Sequence, residues 1–361
     1  MEGMSVRTSE LLYRSKEIAK SLRRDSLQAA KRTILGWGVV PPPLRVQIDI
    51  TDGCNFCCPT CSKWHTPASP RELCLTEWTT ILERIAALPL LGEIAVTGGE
   101  PLMRADLLPF VAQAKRHGLR VVLISNGWFL DRVKLDALEA AGVDRVTVSL
   151  NSLQPQLHDQ TRGKPGSHVR ILQCISAWQA VPRVMELCLA TLVMQSNCGE
   201  LTSLARFARE QGLTGIIFQV LAPPEAHYAF AVHDRMPQTQ RAWIARNPLW
   251  VTDLSELRVQ VHDLLQMQGQ GCHIHNAPSQ LRNFPAYYGR PEDIVKLPCL
   301  GTLSRLYVDP FGDARLCYGF PAIGNVLHDD PRRLWKGTAA RQIRTSSRKC
   351  DRLCRMLNNN Q

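Results

Sequence analysis

The fold and chemistry of this chain are decided by DGCNFCCPTC at residues 52–61 and by TGGEP at residues 97–101. Cys54, Cys58 and Cys61 have the C-x-x-x-C-x-x-C spacing that can hold three irons of a [4Fe–4S] cluster and leave the fourth iron open. Gly98-Gly99-Glu100-Pro101 is a conformationally permissive turn that carries a carboxylate. Each motif follows a predicted strand, so we expect both motifs at the same edge of one sheet.

Hydrophobic periodicity predicts β-strands that alternate with amphipathic helices between residues 45 and 221. The predicted strands are Val46–Ile50, Glu93–Thr97, Arg120–Ser125, Arg145–Leu150, Val184–Met194 and Gly215–Leu221. This alternation indicates an α/β fold with a parallel sheet and right-handed crossovers. Periodicity alone leaves open whether the sheet is doubly wound or forms a barrel. In a barrel, reactive residues lie at the C-terminal ends of the strands.

Size and composition favour a globular protein of a reducing compartment. The 361 residues are 45% hydrophobic and 21% charged, which argues against wholesale disorder. No apolar run approaches the roughly 18–20 residues that span a bilayer, and the first residues lack the pattern of a signal peptide. Thirteen cysteines in such a chain indicate metal binding or catalysis rather than a disulfide framework. We therefore expect a cytoplasmic location.

The formal net charge of +11 could attract nucleic acid, anionic lipid or an acidic peptide. No base-reading motif accompanies this charge, so a solvated basic face is favoured and no nucleic-acid partner is expected. The basic residues 1–44 read as a helical segment that could lie on a membrane surface. Packing on the barrel or on a partner is the favoured alternative.

Two kinds of site are compatible with the first group of cysteines. A zinc site is possible because Cys54/Cys57 and Cys58/Cys61 are C-x-x-C pairs with His65 nearby. It would require the adjacent Cys57 and Cys58 to bind one metal ion, which is geometrically awkward. An iron–sulfur cluster on Cys54, Cys58 and Cys61 is the favoured interpretation.

The order and placement of the two motifs resemble the radical S-adenosylmethionine (SAM) superfamily over residues 45–221. That resemblance implies a partial (β/α)6 barrel of the TIM type. Cys57 falls outside the family spacing and is interpreted as a bystander. The family usually has an aromatic residue before the third cysteine, where this chain has Thr60.

The resemblance also implies a reaction. In the family, the open iron binds the amino and carboxylate groups of SAM, and one electron cleaves SAM to methionine and a 5′-deoxyadenosyl radical. The cofactor supplies the difficult step and the protein orients it. An external electron donor is then required. The resemblance implies cofactor contacts at Gly98, Gly99 and Glu100 toward the methionine amino group, Ser125, Asn126, Ser149 and Asn151 toward the nucleoside, and Arg162 toward the carboxylate.

A second group of cysteines lies near the C-terminus, with a predicted hairpin at Tyr307–Gly312. The group resembles the SPASM extension of radical enzymes, or its shortened Twitch form. Four cysteines suffice for one auxiliary cluster, so we expect a Twitch-like [4Fe–4S] site. A structural zinc knuckle on the same thiolates is the alternative. The implied ligands are Cys299, Cys317, Cys350 and Cys354.

The expected organisation is a basic N-terminal segment (1–44), a radical SAM core (45–225), an irregular connecting or substrate region (226–296) and a SPASM/Twitch-like auxiliary-cluster domain (297–361). The expected function is hydrogen-atom abstraction from a peptide or small molecule, followed by oxidation or cross-linking with help from the auxiliary cluster. Two alternatives remain: a GTP cyclase of the molybdopterin-precursor type, and a zinc-bearing, basic nucleic-acid-binding protein.

Overall fold

The computed structural model describes residues 40–65, 67–89, 91–223, 238–294, 300–348 and 350. Most of the predicted N-terminal segment therefore lies outside the described residues, as do Cys299 and Cys354. Residues from Pro42 onward form one compact unit. Among the residues that the structure describes, no helix is both long and apolar enough to cross a bilayer.

Strands and helices alternate through the first half of the chain, as predicted. The strands are β1 (Arg45–Asp49), β2 (Glu93–Thr97), β3 (Arg120–Ser125), β4 (Arg145–Ser149), β5 (Glu186–Val193), β6 (Gly215–Val220), β7 (Arg305–Val308), β8 (Asp313–Arg315) and β9 (Gly324–Asn325). The helices up to β6 are α1 (Leu75–Ala86), α2 (Leu107–Arg116), α3 (Arg132–Ala141), α4 (Pro155–Arg162), α5 (Ser167–Gln179) and α6 (Leu201–Glu210).

The strand order distinguishes between the two architectures that periodicity leaves open. β1 to β6 are parallel and lie side by side in their sequence order. In a doubly wound sheet the order of the strands reverses at a switch point, whereas β1 to β6 follow one another without such a reversal. The order is that of a partial (β/α) barrel. The ends of β1, β2, β3 and β4 therefore meet along one edge, where the two motifs lie.

The C-terminal residues extend this sheet rather than forming a separate layer. β7 pairs in parallel with β1, on the side opposite β2. β8 and β9 follow as antiparallel strands, so the predicted hairpin is confirmed. Its turn uses Gly312, whose φ of +85° favours glycine. β1, which precedes the cysteine motif, therefore lies between β2 of the barrel and β7 of the C-terminal module (residues 300–348 and 350).

Alternating burial assigns the two faces of β1. Val46 and Ile48 are fully buried, and Gln47 and Asp49 point to the opposite face because side chains alternate along a strand. At the N-terminal end of the sheet, charged side chains at the starts of the strands form ion pairs. Arg120 Nε lies 3.2 Å from Glu93 Oε2, and Arg145 Nη2 lies 2.6 Å from Glu186 Oε2. The predicted reactive residues lie at the opposite end of the sheet, where the strands have their C-terminal residues.

The expectation that residues 226–296 are irregular is wrong for residues 238–294. That stretch contains α7 (Gln238–Arg246), α8 (Leu254–Gly269), α9 (Pro278–Arg282), α10 (Phe284–Gly289) and α11 (Pro291–Ile294). Proline is the first residue of α9 and α11 and the second residue of α10, and it is tolerated in the first turn of a helix because the N–H groups there have no partner within the helix. α12 (Gly301–Ser304), α13 (Pro331–Lys336) and α14 (Thr338–Ser347) belong to the C-terminal module.

Candidate active site

The three motif cysteines lie in the loop that follows β1, here called the cysteine loop (residues 50–74). Cys58 is buried, Cys54 is half-buried and Cys61 is exposed. Burial, together with the nearby charges of Glu100, Cys58 and Cys61, raises the pKa of Cys54 to about 11. Burial also raises the pKa of Cys58, while Arg162 opposes that shift. The three thiols and Glu100 are therefore close enough to influence one another electrostatically.

The Gly-Gly-Glu turn is held directly against the cysteine loop by its backbone. The Gly99 N–H donates to Thr51 O and the Glu100 N–H donates to Gly53 O, each at 2.7 Å. Gly98 has a φ of +133°, and a Cβ on Gly99 would lie 2.0 Å from Gly53 O. No side chain fits at that second position, so the close approach of the two loops explains the glycine pair.

Glu100 organises the loop after β3. Its carboxylate is buried and accepts hydrogen bonds from Ser125 Oγ at 2.8 Å, the Asn126 N–H at 2.7 Å and the Leu102 N–H at 3.1 Å. Burial raises the pKa of Glu100, and these hydrogen bonds, together with the charge of Arg162, oppose the shift. A carboxylate has about four acceptor positions, so one remains for another donor.

Asn126 joins the β3 loop to the cysteine loop. Its Nδ2 donates to Asn55 Oδ1 at 2.8 Å, and Asn55 lies between Cys54 and Cys58 in the chain. Its Oδ1 accepts the Trp128 N–H at 3.0 Å. The predicted residues Gly98, Gly99, Glu100, Ser125 and Asn126 are thereby brought together around the cysteines.

The predicted residues at the end of β4 differ in their surroundings. Ser149 is half-buried at the end of the strand. Asn151 is buried, and its side chain is engaged within the protein: Nδ2 donates to Thr161 Oγ1 at 3.2 Å and Oδ1 accepts the Leu192 N–H at 3.1 Å. Asn151 therefore joins β5 to α4, and its contact with a nucleoside remains a prediction.

Arg162 lies over the cysteine loop. Its guanidinium carbon is 5.6 Å from the ring centroid of Phe56, and its charge acts on both Cys58 and Glu100. Its Nε is buried and has no hydrogen-bond partner. A Cβ on the next residue, Gly163, would lie 2.2 Å from Cys57 O. The structure therefore places the charge of Arg162 beside the cysteine loop, and its contact with a ligand carboxylate remains a prediction.

Two buried histidines beside this arginine were missed at the sequence level. The Asn151 N–H donates to His158 Nδ1 at 3.1 Å, and the ring centroids of His158 and His168 are 5.8 Å apart. Burial, together with the charges of Arg162 and His168, lowers the pKa of His158 to about 3. The available signal was the four-residue spacing of His158 and Arg162, which places both on one face of α4.

The second group of cysteines is only partly described. Cys317 follows β8 and is half-buried, and Cys350 is half-buried just beyond α14. The Gly319 N–H donates to Cys317 Sγ at 3.3 Å, and the Cys350 N–H donates to Ser347 O at 3.2 Å. With Cys299 and Cys354 outside the described residues, a cluster on these four ligands remains a prediction.

The described donor set of the first site fits a [4Fe–4S] cluster. Soft thiolates suit iron–sulfur clusters, and each thiolate binds a separate iron. In the described part of the chain, no three His, Cys, Asp or Glu side chains are gathered tightly enough for a single metal ion. Burial and neighbouring negative charges favour the protonated thiols of Cys54 and Cys58, so binding of iron, which takes thiolates, would release these protons.

Comparison with known proteins identifies the family of this site. Residues 48–195 match the model of the radical SAM superfamily. The match runs from the last residues of β1 through β5 and includes both motifs. The chain therefore contains a radical SAM domain, as the motifs predicted.

Characterised relatives include enzymes that act on different substrates. The chain is 32% identical over 184 residues to the AdoMet-dependent heme synthase of Methanosarcina barkeri, covering 50% of this chain and 51% of that protein. It is 33% identical over 176 residues to the PqqA peptide cyclase of Ruegeria pomeroyi, covering 48% and 46%. The match thus spans about half the length of each. The PqqA peptide cyclase of Xanthomonas campestris pv. campestris is 27% identical over 299 residues, covering 81% of this chain and 72% of that enzyme.

Solved structures share the fold at low sequence identity. Streptococcus suis SuiB bound to S-adenosylmethionine superposes with a TM-score of 0.65 at 14% identity, covering 89% of this chain and 73% of SuiB. The anSMEcpe enzyme with bound AdoMet and the Cp18Cys peptide gives 0.61 at 14% identity, covering 86% and 84%. The partial barrel expected from the sequence is therefore confirmed.

Proposed function

We propose that this protein is a radical SAM enzyme that oxidises or cross-links a peptide with the help of an auxiliary [4Fe–4S] cluster. The observation that carries the proposal is the contact between the cysteine loop and the Gly-Gly-Glu turn at the ends of β1 and β2. The backbone bonds from Gly99 and Glu100 hold three thiols and one buried carboxylate together. A reducing, cytoplasmic setting is part of the proposal.

A cluster held by Cys54, Cys58 and Cys61 would supply the electron that cleaves SAM to methionine and a 5′-deoxyadenosyl radical. The residues of the chain would bind and orient the cofactor. Glu100 retains acceptor capacity for an ammonium group, and the positive charge of Arg162, which acts on both Cys58 and Glu100, would attract a carboxylate. Ser149 would face the ribose. The bulk of Phe56 and Trp128 beside Arg162 would limit access of water.

A peptide is favoured as substrate by the extent of the matches. The heme synthase match covers half of this chain, whereas the Xanthomonas peptide cyclase match covers 81% of it. SuiB, which shares the fold, has also been solved with its precursor peptide SuiA. A tetrapyrrole is the second candidate, supported by the heme synthase match.

The first test is the content of iron, sulfide and zinc in anaerobically reconstituted protein, together with 5′-deoxyadenosine formed from SAM and dithionite. We expect about eight irons for two [4Fe–4S] clusters and measurable deoxyadenosine. About four irons with deoxyadenosine would retain the SAM chemistry and remove the auxiliary cluster. Zinc without iron and without deoxyadenosine would overturn the proposal in favour of a zinc-bearing binding protein.

Cysteine variants separate the two proposed clusters. Cys58→Ala is expected to abolish SAM cleavage, because a ligand of the first cluster is lost. Cys317→Ala is expected to retain cleavage without substrate but to stop substrate turnover. Cys74→Ser, an exposed cysteine outside both groups, is the matched control and should behave as wild type. Full turnover by Cys317→Ala would refute an obligatory auxiliary cluster.

The substrate class can be tested with two probes. Incubation with a PqqA-type peptide is expected to stimulate deoxyadenosine formation and to give a product lacking two hydrogen atoms, measured by mass spectrometry. Stimulation by an iron tetrapyrrole and none by the peptide would overturn the peptide assignment.

A further inference from the structure

The outer side of the cysteine loop adjoins a surface of cations stacked on an aromatic ring. We define this basic surface by Lys164, Arg170, Trp128 and Cys57. Lys164 Nζ lies 4.7 Å and the Arg170 guanidinium carbon 5.3 Å from the ring centroid of Trp128. Arg170 is exposed, and Lys164 and Trp128 are half-buried, so the cations are ordered by the ring while their charge remains accessible.

This basic surface lies against the cysteine loop, which carries the proposed cluster ligands. Gly163, the neighbour of Lys164, packs so closely on Cys57 that an added Cβ would lie 2.2 Å from the Cys57 carbonyl oxygen. Cys57 is exposed and precedes Cys58, whose thiol is buried. Trp128 also packs edge-on against Phe56, with ring centroids 5.8 Å apart. On one side, the surface includes Cys57, the neighbour in sequence of the proposed ligand Cys58. On the other side, Trp128 contacts Phe56 of the cysteine loop.

The positive charge of the surface is not cancelled by the acid in the same segment. The Asp159 carboxylate accepts hydrogen bonds from the Gly166 N–H at 2.6 Å, Ser167 Oγ at 2.9 Å and the His168 N–H at 2.8 Å. Its role is thus to hold the turn before α5. Among the residues that the structure describes, neither Lys164 nor Arg170 forms an ion pair with a carboxylate.

We propose that the basic surface is the docking site for an acidic one-electron redox protein, which reduces the first cluster directly through the cysteine loop. The proposal rests on the proposed function, because it needs a cluster on Cys54, Cys58 and Cys61. The electron balance is simple: one electron leaves a flavodoxin hydroquinone, which becomes the semiquinone, and the cluster passes from the 2+ to the 1+ state. No bond is made or broken in this step.

The physical reason for the assignment is charge complementarity beside the loop that would hold the electron acceptor. Opposite charges on two surfaces accelerate encounter and fix orientation more than they raise affinity. Tryptophan and arginine are enriched at protein interfaces, and both occur here beside an exposed segment of the cluster loop. The structure also offers an alternative entry point, the basic residues Arg333 and Lys336 on α13 of the C-terminal module.

The experiment measures how fast an acidic flavodoxin in the hydroquinone state reduces the reconstituted enzyme. The reduction is monitored by stopped flow as the bleaching of the cluster absorption. Lys164→Glu/Arg170→Glu is expected to lower the second-order rate constant at least about tenfold at low ionic strength and to remove its salt dependence. Calorimetric titration with oxidised flavodoxin should show a matching loss of binding. Reduction by dithionite, which needs no protein docking, should change less than about twofold.

Arg333→Glu/Lys336→Glu is the matched control, because it makes the same change in net charge on the C-terminal module. The proposal would be overturned if flavodoxin reduced Arg333→Glu/Lys336→Glu slowly and Lys164→Glu/Arg170→Glu at the wild-type rate. Electron entry would then lie at the C-terminal module. Equal rates in all three proteins would also overturn it. Failure of the proposed function itself would be distinct, since wild-type protein would then hold no iron and would not bleach with dithionite.

Discussion

Tyr318 donates a hydrogen bond from its hydroxyl to Asp49 Oδ1 at 2.8 Å. Asp49 is the buried last residue of β1, and Tyr318 follows Cys317 in the C-terminal module. Lys63 Nζ, two residues beyond Cys61, lies 3.1 Å from the other oxygen of the same carboxylate. One buried carboxylate thus joins the cysteine loop to the segment that carries a proposed ligand of the second cluster.

Tyr318→Phe should loosen this junction. Loss of the hydroxyl leaves one buried oxygen of Asp49 with a weaker partner, Gln47 Nε2 at 3.4 Å, so the free energy of unfolding should fall by about 1 kcal/mol. Substrate turnover should fall more than SAM cleavage without substrate, because the bond between the segment of Cys317 and the base of the cysteine loop is lost while the pairing of β7 with β1 remains. Chemical unfolding and product analysis measure the two effects.

Tyr287→Phe is the control for this prediction. Its buried hydroxyl donates to Leu221 O at 2.8 Å, away from the cysteine loop. A similar loss of stability with an unchanged ratio of turnover to SAM cleavage is expected. If both variants change the ratio equally, the junction has no special role.

Gly163→Ala should displace the cysteine loop. Gly163 has a φ of +58°, and its added Cβ would meet Cys57 O at 2.2 Å. We expect reduced iron retention in the first cluster, because the clash is with backbone next to Cys58. Gly166→Ala is a close control, since its φ is +80° but no heavy atom lies within 4 Å of the added Cβ.

Gly166→Ala should therefore lose only about 1–2 kcal/mol of stability from backbone strain and retain full iron. Iron per chain and chemical unfolding distinguish the two variants. Equal iron content in both variants would show that the cysteine loop can move to accommodate a Cβ at Gly163 without loss of the cluster.

Glu100→Gln should destabilise the loop after β3. An amide accepts through one oxygen only, so its NH2 group would face at least one of the donors that Glu100 now accepts. We expect a loss of about 2–3 kcal/mol in the free energy of unfolding, because a buried donor is left unpaired. SAM affinity, measured by calorimetry on reconstituted protein, should also fall.

Ser125→Ala gives the graded comparison, because it removes one of these bonds and leaves the carboxylate charged. Its loss of stability should be near 1 kcal/mol. A Glu100→Gln variant as stable as wild type would contradict the three-donor arrangement.

Stability should decline in mild acid because His158 is buried in its neutral form. Its folded pKa of about 3 lies below the unfolded value near 6.5, so its contribution is complete above pH 6.5 and is lost as pH falls toward 3. Between pH 7 and pH 4 this single group should cost about 3 kcal/mol. Unfolding free energies measured across this range test the prediction.

His158→Asn isolates the effect. The asparagine Oδ1 can replace Nδ1 as acceptor for the Asn151 N–H, but it does not titrate. The variant should therefore show a shallower decline below pH 6.5 than wild type. Parallel pH curves for the two proteins would show that another group causes the acid sensitivity.

Much of the site could be predicted because local patterns determine it. Alternating strands and helices place successive strand ends at one edge, so Cys54 and Gly99 had to be neighbours once the sheet was parallel. Gly98-Gly99 was predicted as a conformationally permissive turn, and the structure shows that the carbonyl oxygens of Thr51 and Gly53 lie where side chains at these positions would be. These features depend on short stretches of chain and on the period of the strands.

The remaining features depend on pairings between distant residues, which no local pattern encodes. The parallel pairing of β7 with β1 joins residues about 260 positions apart, as Arg45 and Arg305 show. The engagement of Asn151 with Thr161 and Leu192 likewise required the packing of α4 and β5. Short helices in residues 278–294 were missed because their prolines signal a break as readily as a helix start.

The pairing of β7 with β1 has a consequence for any attempt to divide the protein. Removing the C-terminal module would leave β1 as a bare edge strand, with unpaired N–H and C=O groups directly beneath the cysteine loop. Such an edge invites association with other chains. The radical SAM core therefore cannot be transferred to another protein without a strand that pairs with β1. A chimera that exchanges the C-terminal module must supply a strand in the place of β7.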